Sequence, residues 1–437
     1  MSAPAPAPLD ILRARLAPLN TSTSTNGHTN GHTSSPGGSA MSPSPRSGLT
    51  DPTLALPTPP PETALPAKDA TVYLPTPLHP DAVKYAGERF GRVIMPGEME
   101  LGQAMALADG IGEWHGMSPQ SARLVFPWLH DEAGLGSDLD LGLDSCFLPP
   151  ATCRVSLVTL NRQNTLPKPT LDLAPKLVGI GVVGVGTDSI DLGECKQRRI
   201  CVMNCPGSNA PSVAELTLAL TLALLRRVPE LDARIRRGEK CLAIDHLGRT
   251  LFGKEVGVVG MGSTARKAAE LFHHAFGCTI HVFSPTSPST RWTSHDPLGA
   301  LPHTRHDTLA SMIPLLDVLS LHCPLTPSTR GLIGEAELGS MKPGSVLVNM
   351  SRGAVVDEMA LAQALREKTS VMGAASDVFE VEPVRREMAQ GLFELENFIG
   401  TPHIGGSTVE AQIDVAVQAI DQLADLFDGY PVRNRVC

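Results

Sequence analysis

The sequence predicts an α/β protein made of two doubly wound parallel-sheet domains, one inserted in the other. Three observations carry this expectation. Apolar, β-rich runs alternate with helical periodicity from about residue 71 onward. A glycine turn, GMGSTA, stands between the strand-like VGVV and the helix-like TARKAAELFHHAF. A long helical pattern with a continuous apolar face, TVEAQIDVAVQAIDQLADLF, follows the last strand signal and is expected to return to the first domain.

The chain has 437 residues, 42% hydrophobic and 19% charged, enough for two domains with sizeable cores. A net charge of −9 with no basic run argues against a nucleic-acid partner. The most apolar stretch, Leu216 to Leu225, is far shorter than the roughly 18 residues a membrane span requires, so no membrane partner is expected. The nine cysteines are scattered and include no C-x-x-C pair. Cys195, Cys201 and Cys205 lie close enough for a metal site to be weighed. Buried thiols in a reducing compartment are the preferred reading, with no metal and a cytoplasmic location.

In chain order, residues 1–68 are rich in Pro, Ser, Thr, Asn and Gly and are expected to be a disordered tail, because they cannot offset chain entropy by burial. Within them, Leu9 to Leu19 faintly resembles an organelle transit peptide, although a solvated tail is preferred. Residues 69–211 form the first part of one domain. A β-rich run near Thr71, a Pro-initiated helix and a second run at Arg92 to Met95 open it. The pattern dissolves over about 112–150 and returns at Arg154 to Leu160 and at KLVGIGVVGVGTDSIDL. A helix over about Ser212 to Gly238 leads into the inserted domain, residues 212–402, and residues 403–437 are the returning helix.

Gly260-Met261-Gly262-Ser263-Thr264-Ala265 matches G-x-G-x-x-A in its confirming setting, directly after a strand and opening a helix. Gly260 allows the tight turn and Gly262 lets the backbone approach a pyrophosphate. The Ser263 and Thr264 amides sit at the helix N-terminus, where the dipole favours phosphate, and Ala265 is small enough for close packing. NAD or NADP is therefore the expected cofactor. The carboxylate that usually ends the second strand and holds the ribose is absent. Ser284 stands there, followed by a polar loop containing Arg291, so NADPH is expected to be accepted.

Downstream come Arg352 in NMSRGAVVD, Glu382 in DVFEVEP and His403 in TPHIGGST, each just after a strand signal, where an open α/β sheet places its ligand crevice. A guanidinium grips a carboxylate or polarised carbonyl with two donors. A histidine donates a proton to a developing alkoxide, and a carboxylate on its other nitrogen orients it. Glu380 competes with Glu382 for that place.

These motifs, together with VGVGTDSIDL, PGSNAPSVAEL and LHCPLTPSTRGLI, resemble the D-isomer-specific 2-hydroxyacid dehydrogenase family, and TPHIGGSTVEAQ is most like its D-3-phosphoglycerate dehydrogenase branch. The resemblance runs from about Leu173 to the C-terminus. It implies two Rossmann-like domains, the cofactor domain inserted in the substrate domain, and a homodimer. It also implies hydride exchange between a nicotinamide and a small 2-hydroxy or 2-keto acid, 3-phosphoglycerate-like or glyoxylate/hydroxypyruvate-like, with Arg352, Glu382 and His403 catalytic. Ser263, Thr264, Ser284, Met350, Ser351, Asp377, Gly405 and Gly406 fall at cofactor-contact positions, bordered by Arg352 and His403, and Asp377 would receive the nicotinamide amide. The glycines after His403 would leave room for the ring. Formate dehydrogenases carry Gln where Glu382 stands, which argues against formate. The substrate loop is displaced by roughly 40 extra residues, judged by ordinary loop lengths. Asn161-Arg162 is its best candidate, with Gly110 behind it. A binding scaffold resembling the C-terminal-binding corepressors, with little turnover, is the alternative.

Overall fold

The computed structural model describes residues 67, 70–74, 78–90, 92–94, 155–159, 166–172, 177–368 and 370–437. The expectations for nearly all of the tail, for the stretch 112–150 and for Gly110, Asn161 and Arg162 lie outside the described residues. All the elements below fall within one unit, Leu65–Cys437.

The first sheet takes β1 (Thr71–Tyr73), β2 (Arg92–Ile94), β3 (Val155–Thr159), β4 (Leu177–Val182) and β5 (Cys201–Met203), with helices α1 (Pro80–Arg89), α2 (Lys168–Asp172) and α3 (Leu192–Arg198) between them. Its order is β2-β1-β3-β4-β5, all parallel. Helices α4 (Ala210–Leu225) and α5 (Val228–Arg236) carry the chain into the second sheet. That sheet holds β6 (Glu255–Val259), β7 (Thr279–Phe283), β8 (Thr304–His306), β9 (Val318–Leu321), β10 (Ser345–Asn349), β11 (Val371–Ser376) and β12 (Phe398–Gly400). Its helices are α6 (Ser263–Phe276), α7 (Leu309–Met312), α8 (Glu335–Ser340) and α9 (Glu358–Glu367), and α10 (Val409–Asp428) ends the fold. The order β12-β11-β10-β9-β6-β7-β8 is again all parallel, and strand order reverses between β6 and β9. This is the α/β doubly wound arrangement in both sheets.

One helix was expected over Ser212–Gly238; the structure has two. Pro229 lacks an N–H, and in a continuous helix its ring would strike the Leu225 carbonyl. Instead Arg227 turns left-handed at φ 56°, and the Leu225 carbonyl accepts a hydrogen bond from the Arg249 amide at 2.8 Å. Helix α4 is buried against the second sheet through Val213, Leu220, Leu224 and Leu225, whereas α5 buries no residue.

The closing helix α10 packs on the first sheet. Val415, Ala419, Ile420, Leu423 and Phe427 share a core with Val72, Leu74, Ala82 and Met203. The alternating glycines of β4 explain the close approach. A Cβ at Gly179 would stand 2.7 Å from Leu426 Cδ2, and one at Gly181 would stand 3.0 Å from Leu423 Cδ1. Any larger residue on that strand face would push the helix away. Tyr85 of α1 donates to Asp421 Oδ1 at 2.6 Å, which ties α10 to α1.

Candidate active site

Strand register gathers the site. Asn349 pairs with Ser376, and Ser376 with Gly400, so β10, β11 and β12 end side by side. Arg352 lies three residues past the first of these ends, Asp377 one past the second, and His403 three past the third. On the other side, Val259 pairs with Leu321, which sets the glycine turn beside the β9 loop at the point of strand-order reversal. Ligands bind at such a point, outside the carboxyl ends of the strands.

The glycine turn has the geometry its sequence requires. Gly260 sits at φ 104°, and a Cβ there would come within 2.8 Å of the His322 carbonyl oxygen. Only glycine fits. Gly262 is extended and its Cβ direction is open, the space a pyrophosphate needs. Ser263 and Thr264 begin the 14-residue α6, whose free amides and positive dipole end face that space. Ala265 is fully buried. These residues fit a dinucleotide.

His403 Nδ1 lies 2.8 Å from Glu382 Oε2, while Glu382 Oε1 accepts the Phe379 amide at 3.1 Å. Glu380 instead faces Arg330, at 3.3 Å. The competition left open by the sequence is resolved geometrically for Glu382. His403 itself is left-handed, at φ 58°. Its loop is held by Asp377, a buried carboxylate that accepts Thr401 Oγ1 at 2.6 Å and the Ile404 and Gly405 amides at 2.8 Å each. Asp377 is thus engaged first in shaping the histidine loop.

Three features differ from expectation or were missed. Gly405 and Gly406 were expected to leave room for a cofactor ring, but their Cβ directions point at the protein. At Gly405 a Cβ would meet Asp377 Oδ2 at 3.0 Å and Met350 Cε at 3.2 Å, and at Gly406 it would meet Asn209 Nδ2 at 2.8 Å. Their smallness packs the loop onto α4 and β10. Ser351 is buried, and its hydroxyl donates to Asn349 Oδ1 at 2.6 Å. Asn349, not singled out in the sequence, also donates from Nδ2 to the Arg352 carbonyl, at 3.1 Å, and clamps the arginine turn. Gly353 was missed too. A Cβ there would sit inside the Phe379–Glu380 backbone, at about contact distances no atoms tolerate, so this glycine lets the Glu382 segment close over the Arg352 turn. The signal available was a glycine next to a candidate arginine.

Around Ser284 the end of β7 is cationic. Ser284 Oγ and Ser287 Oγ are 2.8 Å apart, Arg305 donates to the carbonyls of Ser284, Ser287 and Pro288, and Arg291 Nε donates to the Met261 carbonyl at 3.2 Å. The polar loop folds back onto the glycine turn. Cys195, Cys201 and Cys205 are buried, and desolvation pushes their thiols up to about 12, 11 and 12. Among the described residues no group of three His, Cys, Asp or Glu side chains is placed to hold a metal, and no helix is long and apolar enough to cross a membrane.

Comparison with known proteins agrees with this fold. The NAD binding domain of D-isomer specific 2-hydroxyacid dehydrogenases matches residues 218–405. The D-3-phosphoglycerate dehydrogenase of Haemophilus influenzae is 36% identical over 291 residues, 66% of this chain and 68% of that protein. For the Bacillus subtilis and Escherichia coli dehydrogenases of the same name the match spans 49% and 64% of their length. The hydroxypyruvate reductase of Thermotoga maritima is 36% identical over 247 residues, 56% of this chain and 76% of that one. The crystal structure of the TT0316 protein of Thermus thermophilus superposes with a TM-score of 0.63 at 29% identity, covering 84% of this chain and 100% of that one.

Proposed function

This chain belongs to the D-isomer specific 2-hydroxyacid dehydrogenase family as an NAD(P)-linked oxidoreductase, and on that premise we propose that it reduces short 2-keto acids with His403 as the acid. The observation that supports the reading is the His403–Glu382 pair, 2.8 Å apart, with β12, β11 and β10 ending in order ahead of His403, Asp377 and Arg352. Glu382 accepts the Nδ1 proton in a hydrogen bond, which orients the ring and leaves Nε2 as the proton-bearing atom for substrate. Arg352 grips the substrate carboxylate and polarises the carbonyl. When bound, the nicotinamide supplies the hydride to the carbonyl carbon. His403 gives its proton to the carbonyl oxygen, and oxidation of the hydroxy acid reverses both transfers. The remaining cofactor positions, Ser263, Thr264, Met350, Ser351, Gly405 and Gly406, belong to the same proposal.

Domain limits of 69–211 with 403–437 for the substrate domain and 212–402 for the cofactor domain are supported by the shared core of α10 and the first sheet. A homodimer is supported by exposed Val228, Ile235, Leu242, Ile244, Leu247 and Phe252 around the unburied α5. A cytoplasmic location is supported by free, buried cysteines. The deciding experiment is turnover of glyoxylate, hydroxypyruvate and 3-phosphohydroxypyruvate with NADH and NADPH. Rates of the order of 1 s⁻¹ or more are expected. Cofactor binding with negligible rates on every acid would instead support a nucleotide-sensing scaffold.

A further inference from the structure

Arg352 is engaged by an acid from the other sheet. Asp188 lies in the loop after β4, and Arg352 in the loop after β10. Arg352 Nε and Nη2 both donate to Asp188 Oδ2, at 3.2 and 3.1 Å, while Nη1 donates to the Ser351 carbonyl at 2.7 Å. Nε and Nη2 form one edge of the guanidinium, the edge suited to a two-pronged grip on a carboxylate. Gly186 makes the approach possible: a Cβ there would stand 2.4 Å from Arg352 Nη2 and 3.0 Å from Asp188 Oδ2. The pair is open to water, with side-chain exposures of 23% for Arg352 and 54% for Asp188. Such pairs are weak enough for a bound ligand to replace.

We propose that Asp188 is an internal counter-ion that occupies this edge of Arg352 and yields it to the incoming 2-keto acid. The proposal rests on the substrate-binding role given to Arg352. Two consequences follow from charge alone. Each substrate exchanges one carboxylate for another, so affinity is lowered by the pair that must break. The displaced Asp188 carboxylate also stays tethered close by, so a second anionic group on the substrate meets like-charge repulsion. The site therefore favours monoanionic keto acids over those that also carry phosphate.

The test is steady-state kinetics of the full chain, wild type and Asp188→Asn, on glyoxylate and 3-phosphohydroxypyruvate, together with the melting-temperature shift produced by oxamate on the cofactor-loaded protein. In Asp188→Asn, KM for glyoxylate is expected to fall about three- to fivefold, the scale of a half-exposed ion pair. The fall should be larger for the phosphorylated acid, and oxamate should raise the melting temperature more than in wild type. Asp188→Glu keeps the charge and serves if the asparagine variant does not fold; its KM should stay at or above wild type. An Asp188→Asn variant with wild-type melting behaviour and unchanged or raised KM, or a glutamate variant with lowered KM, overturns the counter-ion. A wild type inactive on every keto acid overturns the dehydrogenase reading instead. The oxamate shift, which needs no turnover, still decides the role of Asp188 in that case.

Discussion

At the scale of the residue, chemistry is concentrated in a few side chains whose environments separate their tasks. His403→Ala removes the imidazole paired with Glu382. It is expected to lower kcat by roughly 10²- to 10⁴-fold, the usual worth of a positioned acid, with cofactor affinity nearly unchanged by titration. Ser284 ends β7 without a carboxylate and with Arg291 and Arg305 nearby. Wild-type kcat/KM is expected to be at least comparable for NADPH and NADH, and Ser284→Asp should shift it towards NADH. A wild-type preference for NADH above about 100-fold would count against this reading. His322, beside Gly260, has a buried Nδ1 with no partner among the described residues, and desolvation pushes its imidazole down to about 4. The sign follows from linkage. The unfolded chain takes up this proton near pH 6.5 and the folded chain resists until about 4, so stability present above 6.5 is lost as pH falls through that window. Thermal melts from pH 7 to 4 should show the decline, and His322→Gln should flatten it.

At the scale of the element, the strand–turn–helix at 255–276 was legible because its causes are local: alternation, two glycines and a helical stripe. The same holds for the choice of Arg352 and His403, which stand in short motifs. The helix break at Pro229 was present in the sequence as a proline and was overridden by a strong apolar run. What could not be read were partners brought together from far along the chain. Gly353 acts through the segment near 379, Asp188 meets Arg352 across 164 positions, and Arg305 reaches back to Ser284. No periodicity encodes such pairs. The grooved face of β4 offers a direct check on packing. Leu423 is fully buried against Gly181, and Leu423→Ala is expected to cost about 2–5 kcal/mol, the range for leucine deletions in cores. Urea unfolding monitored by circular dichroism reads this, and an unmoved midpoint would mean that α10 adds little to the first sheet.

At the scale of the whole molecule, the exposed apolar side chains from 228 to 252 give a surface that a second copy would cover. Ile244, 71% exposed, is the most open of them. Wild type is expected to sediment as a dimer at micromolar concentration and Ile244→Asp as a monomer; a monomeric wild type would end that proposal. The packing of α10 has a further consequence, in time rather than in space. A ribosome makes β1 to β5 first, yet their shared core closes only when residues 409–428 appear, after the entire seven-stranded sheet has been made. The sheet translated first is therefore completed last. Until then the face of β4 bearing Gly179 and Gly181 waits uncovered, a nascent apolar groove that chaperones or neighbouring chains can reach. Contacts spanning more than 300 residues, such as Tyr85 to Asp421, place that closure late on the folding pathway.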